Sequence, residues 1–231
     1  MTRETTEKKA AEIPGSGRTL VERYALPPDM IEPRSFAIIA ELLADFDQTE
    51  PEWPVVQRIV HTTGDPAVAC QIRIHERAVA AGTQALRSGR PILTDVKMVA
   101  AGISRGLASQ FGCEVLCAID DPAVAEIARA QRTTRGVASV RHLADRVPGA
   151  VVAIGNAPTA LFALLDCLDG GLPPPALVVG TPVGFVGAAE AKAELVRRTH
   201  LPYVTIEGTR GGSSIAAATV NALLRLAAKG L

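Results

Sequence analysis

Aromatic residues are scarce in this sequence: one Trp, two Tyr and five Phe among 231 residues, 3% in all. Hydrophobic residues nonetheless make up 48%, so the core has to be built from Ala, Val, Leu and Ile. That is the material of a parallel sheet covered by helices, whose central strands read as continuous aliphatic runs. Net charge is also missing, because 24 Lys and Arg balance 24 Asp and Glu. A general electrostatic pull toward nucleic acid or membrane surfaces is thereby excluded, while a local basic pocket is not. Uninterrupted apolar stretches of about 18 residues are absent, and the opening MTRETTEKKA lacks the apolar run of a secretory signal. The expectation is a cytoplasmic protein. The four cysteines, Cys70, Cys113, Cys117 and Cys167, are scattered through apolar segments, which suits reduced thiols better than a disulfide framework. Cys113 and Cys117 are expected on one face of a strand. No HxxxH, HExxH or Cys/His spacing is present, so no metal is expected.

Residues 1–18 are polar, charged and without period, and read as a mobile, dispensable tail. Residues 19–231 are long enough for one α/β domain without staples. In 35–46 the spacing puts Phe36, Ile39, Leu42, Leu43 and Phe46 on one helical face, with Ser35 as N-cap. The run VVQRIV then leads to His61, which is expected where a buried segment emerges into a loop. A helix is predicted over 76–87, a strand over 92–94 and another over 113–119. Pro122 begins the next helix. The second half is more regular: strand 150–155 with a helix through 161–168, strand 176–180 with a helix through 188–198, and strand 203–207 with a helix through 215–228.

Three successive strand, glycine turn and helix units argue for parallel strands joined by right-handed crossovers. The predicted fold class is α/β: a three-layer, Rossmann-like parallel sheet in a single domain with helices on both faces. Its turns GNAPTA, GTPVGFVGAAE and EGTRGGSS should then line one crevice at the carboxyl ends of the strands. Each turn brings a helix N-terminus to that edge, where unpaired N–H groups favour a phosphate or carboxylate. None ends in Gly-Lys-Ser/Thr and none gives GxGxxG followed by an acidic residue, so no nucleotide cofactor is expected. Gly211 and Gly212 could equally serve a tight turn that needs positive φ. A helix N-cap role accounts for at least one of Ser213 and Ser214, and no GxSxG elbow marks either as a nucleophile.

A histidine at a loop edge is a usable acid or base at neutral pH, and His61 fits that position better than His75, His142 or His200. Arg105 follows GIS and Arg135 lies in RTTRG; each is either a solvated loop arginine or a fork for a substrate carboxylate. Asp65 reads as an Asp-Pro turn former; were it instead close to His61, it would hold the imidazole protonated.

Seven segments occur in one order: PRSFAII (33–39), IVH (59–61), GRPILTDVKMVAAGISR (89–105), TTRG (133–136), VVAIGNAPTALF (151–162), VGTPVGFVGAAEAK (179–192) and EGTRGGSSIAAATVNAL (207–223). Together they resemble the precorrin-8X methylmutases and their cobalt-precorrin-8 counterparts, over residues 30–228. The resemblance implies an isomerase of cobalamin biosynthesis that moves the C11 methyl of the macrocycle to C12, giving hydrogenobyrinate or its cobalt form. It implies a homodimer with active sites near the subunit interface, a tetrapyrrole polycarboxylate as substrate, and neither nucleic acid nor membrane as partner. The family's catalytic histidine falls on His61. Ser35, Arg135, Asn156, Thr159, Gly211, Gly212 and Ser213 fall on pocket positions, and Arg105 joins Arg135 as a carboxylate partner. Two other classes fit the anion-binding turns. One is a transferase holding a nucleotide or S-adenosylmethionine; the other is a non-catalytic corrinoid carrier.

Overall fold

The structure, a computed structural model, describes residues 19–230; the 1–18 tail lies outside them. A mixed sheet of six strands forms the middle layer: β1 (Ile72–Ile74), β2 (Ile92–Thr94), β3 (Val115–Leu116), β4 (Val151–Ile154), β5 (Leu177–Gly180) and β6 (Tyr203–Ile206). Their spatial order is β1-β6-β5-β4-β2-β3. All neighbours are parallel except β1, which pairs antiparallel to β6 with Ile72 opposite Ile206. The α/β expectation holds, and the antiparallel edge strand is an addition to the all-parallel reading. With only three residues, β1 is too short to show a period in the sequence.

Eleven α-helices surround this sheet among the described residues. Before β2 come α1 (Leu20–Tyr24), α2 (Pro28–Leu42), α3 (Trp53–Thr63) and α4 (Ala78–Arg87). Between β2 and β4 come α5 (Lys97–Gly102), α6 (Arg105–Gln110), α7 (Pro122–Ala130) and α8 (Arg135–His142). The last three, α9 (Pro158–Asp169), α10 (Ala188–Val196) and α11 (Ser213–Lys229), each follow a strand.

Side chains alternate across a strand, and the sheet uses both faces. Val151 and Ala153 of β4 join Val179 and Val204 in one core with residues of α3, α4 and α11. Val152 and Ile154 point the other way, onto Leu161 and Leu164 of α9 and Leu195 of α10. Burial on both sides explains why these strands are continuous Val, Ile and Ala runs. Helix α11 is the central strut, with 12 of its 17 residues buried.

Chain direction across the sheet reverses between β2 and β4. From β2 the chain winds outward to β3, and from β4 it winds the opposite way through β5 to β6. Crossover helices therefore leave to opposite faces there, α5 joining the α11 layer and α9 the other. In such sheets the crevice opens at this reversal, outside the carboxyl ends of the strands.

Several local expectations are corrected. Ser35 is not an N-cap: α2 starts at Pro28, whose fixed φ suits the first helical position, and Ser35 lies in mid-helix. Ile39 and Leu43 are buried on the expected face, but Leu42 is 60% exposed. The 113–119 strand shrinks to two residues at the sheet edge. Cys113 precedes it, donating its thiol to the Leu86 carbonyl at 3.2 Å, and Cys117 follows it, so the two do not share a strand face. All four thiols are free.

Candidate active site at the carboxyl edge of the sheet

The turns after β4, β5 and β6 meet at one edge, as the sequence pattern requires. A Cβ on Gly155 would come within 2.8 Å of the Ser213 Cα, so the β4 turn abuts the start of α11. Gly211 sits so close to the Thr181 and Pro182 carbonyls that a side chain there would overlap them. The Gly212 N–H donates to the Thr181 carbonyl at 2.8 Å, and the Gly184 N–H to that of Thr209 at 3.1 Å. Glycine is thus required at 155 and 211 by close backbone approach. Ser213 and Ser214 do not cap α11; that position belongs to Gly212 at φ 131°, and both serines lie in the first turn.

Helix α8 begins beside α9. Thr134, the N-cap of α8, shares a 2.9 Å hydrogen bond with the hydroxyl of Thr159. Arg135 is therefore carried, exposed, to the same place as Asn156 and Thr159.

One anion is already in place. Asp95, at the end of β2 and 3% exposed, accepts from the Gly155 N–H at 3.0 Å and from those of Asn156 and Ala157 at 2.8 Å each. The amides at the start of α9 were expected to face a substrate anion; the protein's own carboxylate satisfies them instead. Burial pushes the Asp95 carboxyl up from its ordinary range, and the three N–H bonds oppose that shift. The contact staples β2 to β4 across the point where the winding reverses.

Helix α3, which carries His61, is tied to this edge just beyond its end. His61 lies in the last turn of α3, not in a loop, and is exposed. The helix ends at Gly64, which has φ 63° and needs no side chain. Asp65 then caps the short 3₁₀ turn after it, accepting from the Ala67 N–H at 2.9 Å, and pairs with Arg210 of the β6–α11 turn. The turn-former reading of Asp65 holds, and its charge goes to Arg210, which holds the carboxyl below its usual range. His61 itself stands edge-on to Phe36 of α2, ring centres 5.5 Å apart. Glu32 bonds Arg58 at 2.6 Å and lies 3.6 Å from Arg225. Its carboxyl is held low chiefly by Arg58, with smaller contributions from Arg225 and His61. Next to His61, Thr62 and Arg58 line a cleft of about 330 Å³ with Ser104, Ser214, Ala218 and Asn221. Asn221 fixes one wall by accepting from the Ser104 N–H and donating to the Gly102 carbonyl, both at 2.8 Å.

The nine candidate residues thus fall into three groups. Asn156, Thr159, Arg135, Gly211, Gly212 and Ser213 converge on the sheet edge. His61 and Ser35 sit on α3 and α2; α3 is tied to that edge by the Asp65–Arg210 pair beyond its end, and its Arg58 and Thr62 share a cleft with Ser214. Arg105 opens onto a separate depression with Lys97, Ser109 and Cys113. Two of the remaining histidines are otherwise engaged. His75 accepts the Arg77 N–H on Nδ1 and so donates from Nε2 to the Thr199 carbonyl at 2.7 Å. His142 lies 3.6 Å from Asp121. Among the described residues no group of three His, Cys, Asp or Glu could hold a metal ion, and no helix is long and apolar enough to cross a membrane.

A family model described as precorrin-8X methylmutase matches residues 30–226. The chain belongs to the precorrin-8X methylmutase family. A cobalt-precorrin-8 methylmutase of Priestia megaterium is 38% identical over 93% of this chain and 95% of its own length. A precorrin-8X methylmutase of Sinorhizobium sp is 42% identical, covering 87% of this chain and 96% of the relative. Among solved structures, the precorrin-8X methylmutase of Thermus thermophilus superposes with a TM-score of 0.79 at 39% identity, covering 87% of this chain and 98% of that one.

Sequence reasoning passed over two residues of this edge. Asp95 lay inside the segment 89–105; an acidic residue ending a buried strand was the available signal. Lys192 is the other: 1% exposed, with its ammonium donating to the Arg210 carbonyl. Burial depresses its pKa to about 8. It anchors from within the turn whose outer side Asp65 holds. Two results are expected. Lys192→Met keeps the volume and removes a buried charge, so the melting temperature changes little. The turn loses its anchor, however, and kcat/KM falls. Wild-type stability should also rise between pH 8 and 10.5, because only the unfolded lysine still binds its proton there. Denaturant melts across that range, with Lys192→Met showing a smaller slope, check the assignment.

Proposed function

We propose that this protein is the isomerase that converts precorrin-8X to hydrogenobyrinate by moving the methyl group from C11 to C12, with His61 as the acid. The imidazolium donates a proton to the macrocycle, the carbon–carbon bond at C11 breaks as that at C12 forms, and the ring returns a proton to the imidazole. Composition is unchanged, so no nucleophile or co-reactant enters. The protein has to supply a shaped edge and one proton, and such acid/base assistance is worth about 10²–10⁴-fold.

What supports this reading most is the exposure of His61 on the last turn of a helix tied, through Asp65 and Arg210, to the edge where the three glycine turns meet. Arg135 offers a planar fork to a carboxylate arm. Asn156, Thr159 and the first turn of α11 offer neutral donors to others. Arg105, on its separate depression, would meet only an arm long enough to pass over α5.

Homodimerisation belongs to the same proposal. Leu20, Val21, Tyr24, Met30, Ile31 and Leu42 of α1 and α2 are all about half exposed or more, six apolar side chains on two consecutive helices that a partner would cover. A second copy covering them would bring another chain beside Ser35 and His61. Sedimentation should give about twice the 24.1 kDa chain mass; a monomer at micromolar concentration would remove the dimer from the account. A cytoplasmic location goes with a substrate made and consumed by soluble chemistry.

The activity is tested by mixing purified protein with precorrin-8X and following the absorption spectrum. Conversion to the rearranged chromophore is expected. Tight binding of the product without conversion would instead identify a carrier, and bound nucleotide or S-adenosylmethionine a transferase. A parallel assay with cobalt-precorrin-8 settles the metal state of the substrate.

A further inference from the structure

The β5–α10 loop, residues 181–187, is built to hold apolar side chains in the open. Its base is buried: Thr181 is wholly covered and accepts from the Gly212 N–H. One flank is pinned by the Gly184 N–H on the Thr209 carbonyl, and the other by Gly187, packed against Pro158 and Phe162 at the start of α9. Gly184 at φ 144° and Gly187 at φ 78° make bends that side chains rarely permit. Between them Phe185 is 93% exposed and Val186 89%. A phenyl ring held out in water by a fixed backbone stabilises nothing in the free protein.

This tip emerges between the two polar groups of the candidate site. On one side are Asn156, Thr159 and the α9 N-terminus, on the other Gly211 to Ser213. The groups flanking it suit carboxylate arms, and the tip suits the apolar face of the ring that carries them. The apolar side chains of α1 and α2 lie on other elements than this loop. We propose that Phe185 and Val186 are substrate-positioning residues on which one face of the macrocycle rests, which rests on the tetrapyrrole reading above. Arms give orientation; ring contact gives selection for a planar macrocycle over any other polycarboxylate of similar charge.

Phe185→Ala, Val186→Ala and Phe185→Leu test it, each titrated with hydrogenobyrinate and assayed with precorrin-8X. Loss of a ring contact of this size predicts product Kd and KM raised by about 10–100-fold in Phe185→Ala, with kcat less affected. Phe185→Leu should recover most of the affinity, and melting temperature and sedimentation should match the wild type in all three. Unchanged Kd and KM would overturn the proposal. So would a shift in sedimentation, which would assign the loop to a second copy of the chain. Should the wild type fail to convert precorrin-8X, the activity itself is at fault rather than the role of this loop.

Discussion

His61→Ala and His61→Asn should each lower kcat by about 10²–10⁴-fold while still binding hydrogenobyrinate. The side chain is exposed and, among the described residues, makes no hydrogen bond; its one ring contact there is T-shaped, with Phe36. Neither variant should therefore lose stability, and a fall in rate would be chemical in origin. Asparagine keeps a polar group of similar reach without an exchangeable proton of suitable acidity, so it separates proton donation from contact. Single-turnover kinetics with precorrin-8X and titration with hydrogenobyrinate read the rate and the binding separately. Rates near wild type in both variants would remove His61 from the mechanism.

Asp95→Ala and Asp95→Asn should be the most destabilising changes at the site. Alanine leaves the N–H groups of Gly155, Asn156 and Ala157 without their acceptor at a place almost closed to water. Asparagine retains one oxygen but turns an NH₂ toward donors. Bonds to a charged acceptor contribute about 1.5–3 kcal/mol each, and the burial cost of the carboxylate offsets part of their sum. A loss of about 3 kcal/mol is expected, or roughly 6–12 °C in melting temperature for a chain of this size. The β4 turn would also come loose from β2, displacing Asn156 and Thr159, so KM should rise in whatever fraction stays folded. Calorimetry decides the point: a melting temperature within about 2 °C of wild type would mean that water replaces the carboxylate without cost.

The second half of the fold was legible because its strands are buried on both faces. Runs such as VVAI and LVVG admit little else, and each is followed by a glycine turn and an amphipathic helix. The first half was harder to read. β1 and β3 have three and two residues, too few to show any period, and their pairing is decided by strands far along the chain. Ser35 looked like a cap because serine precedes an apolar run, whereas Pro28 upstream had already started the helix. Proline at the first position outweighed Pro33 inside.

At the site, glycines and hydroxyls marked the turns correctly, since close backbone approach leaves a residue-type signature. Carboxylate and ammonium partners left none. Asp95 and Lys192 act through backbone groups brought to them by the fold, on residues 60 and 18 positions away. Asp65 was legible as a turn former from Asp-Pro, but its partner Arg210 is 145 residues distant. His61 was singled out by its place at the end of an apolar run, although the run proved to be the helix itself.

A crystal structure of the protein with hydrogenobyrinate bound would test the central claim most directly. The account predicts the macrocycle across the carboxyl edge of the sheet, its arms on Arg135, Asn156, Thr159 and the Gly211–Ser213 turn, and the His61 imidazole within hydrogen-bonding reach of the ring. A macrocycle seated elsewhere, with His61 facing only solvent, would contradict it.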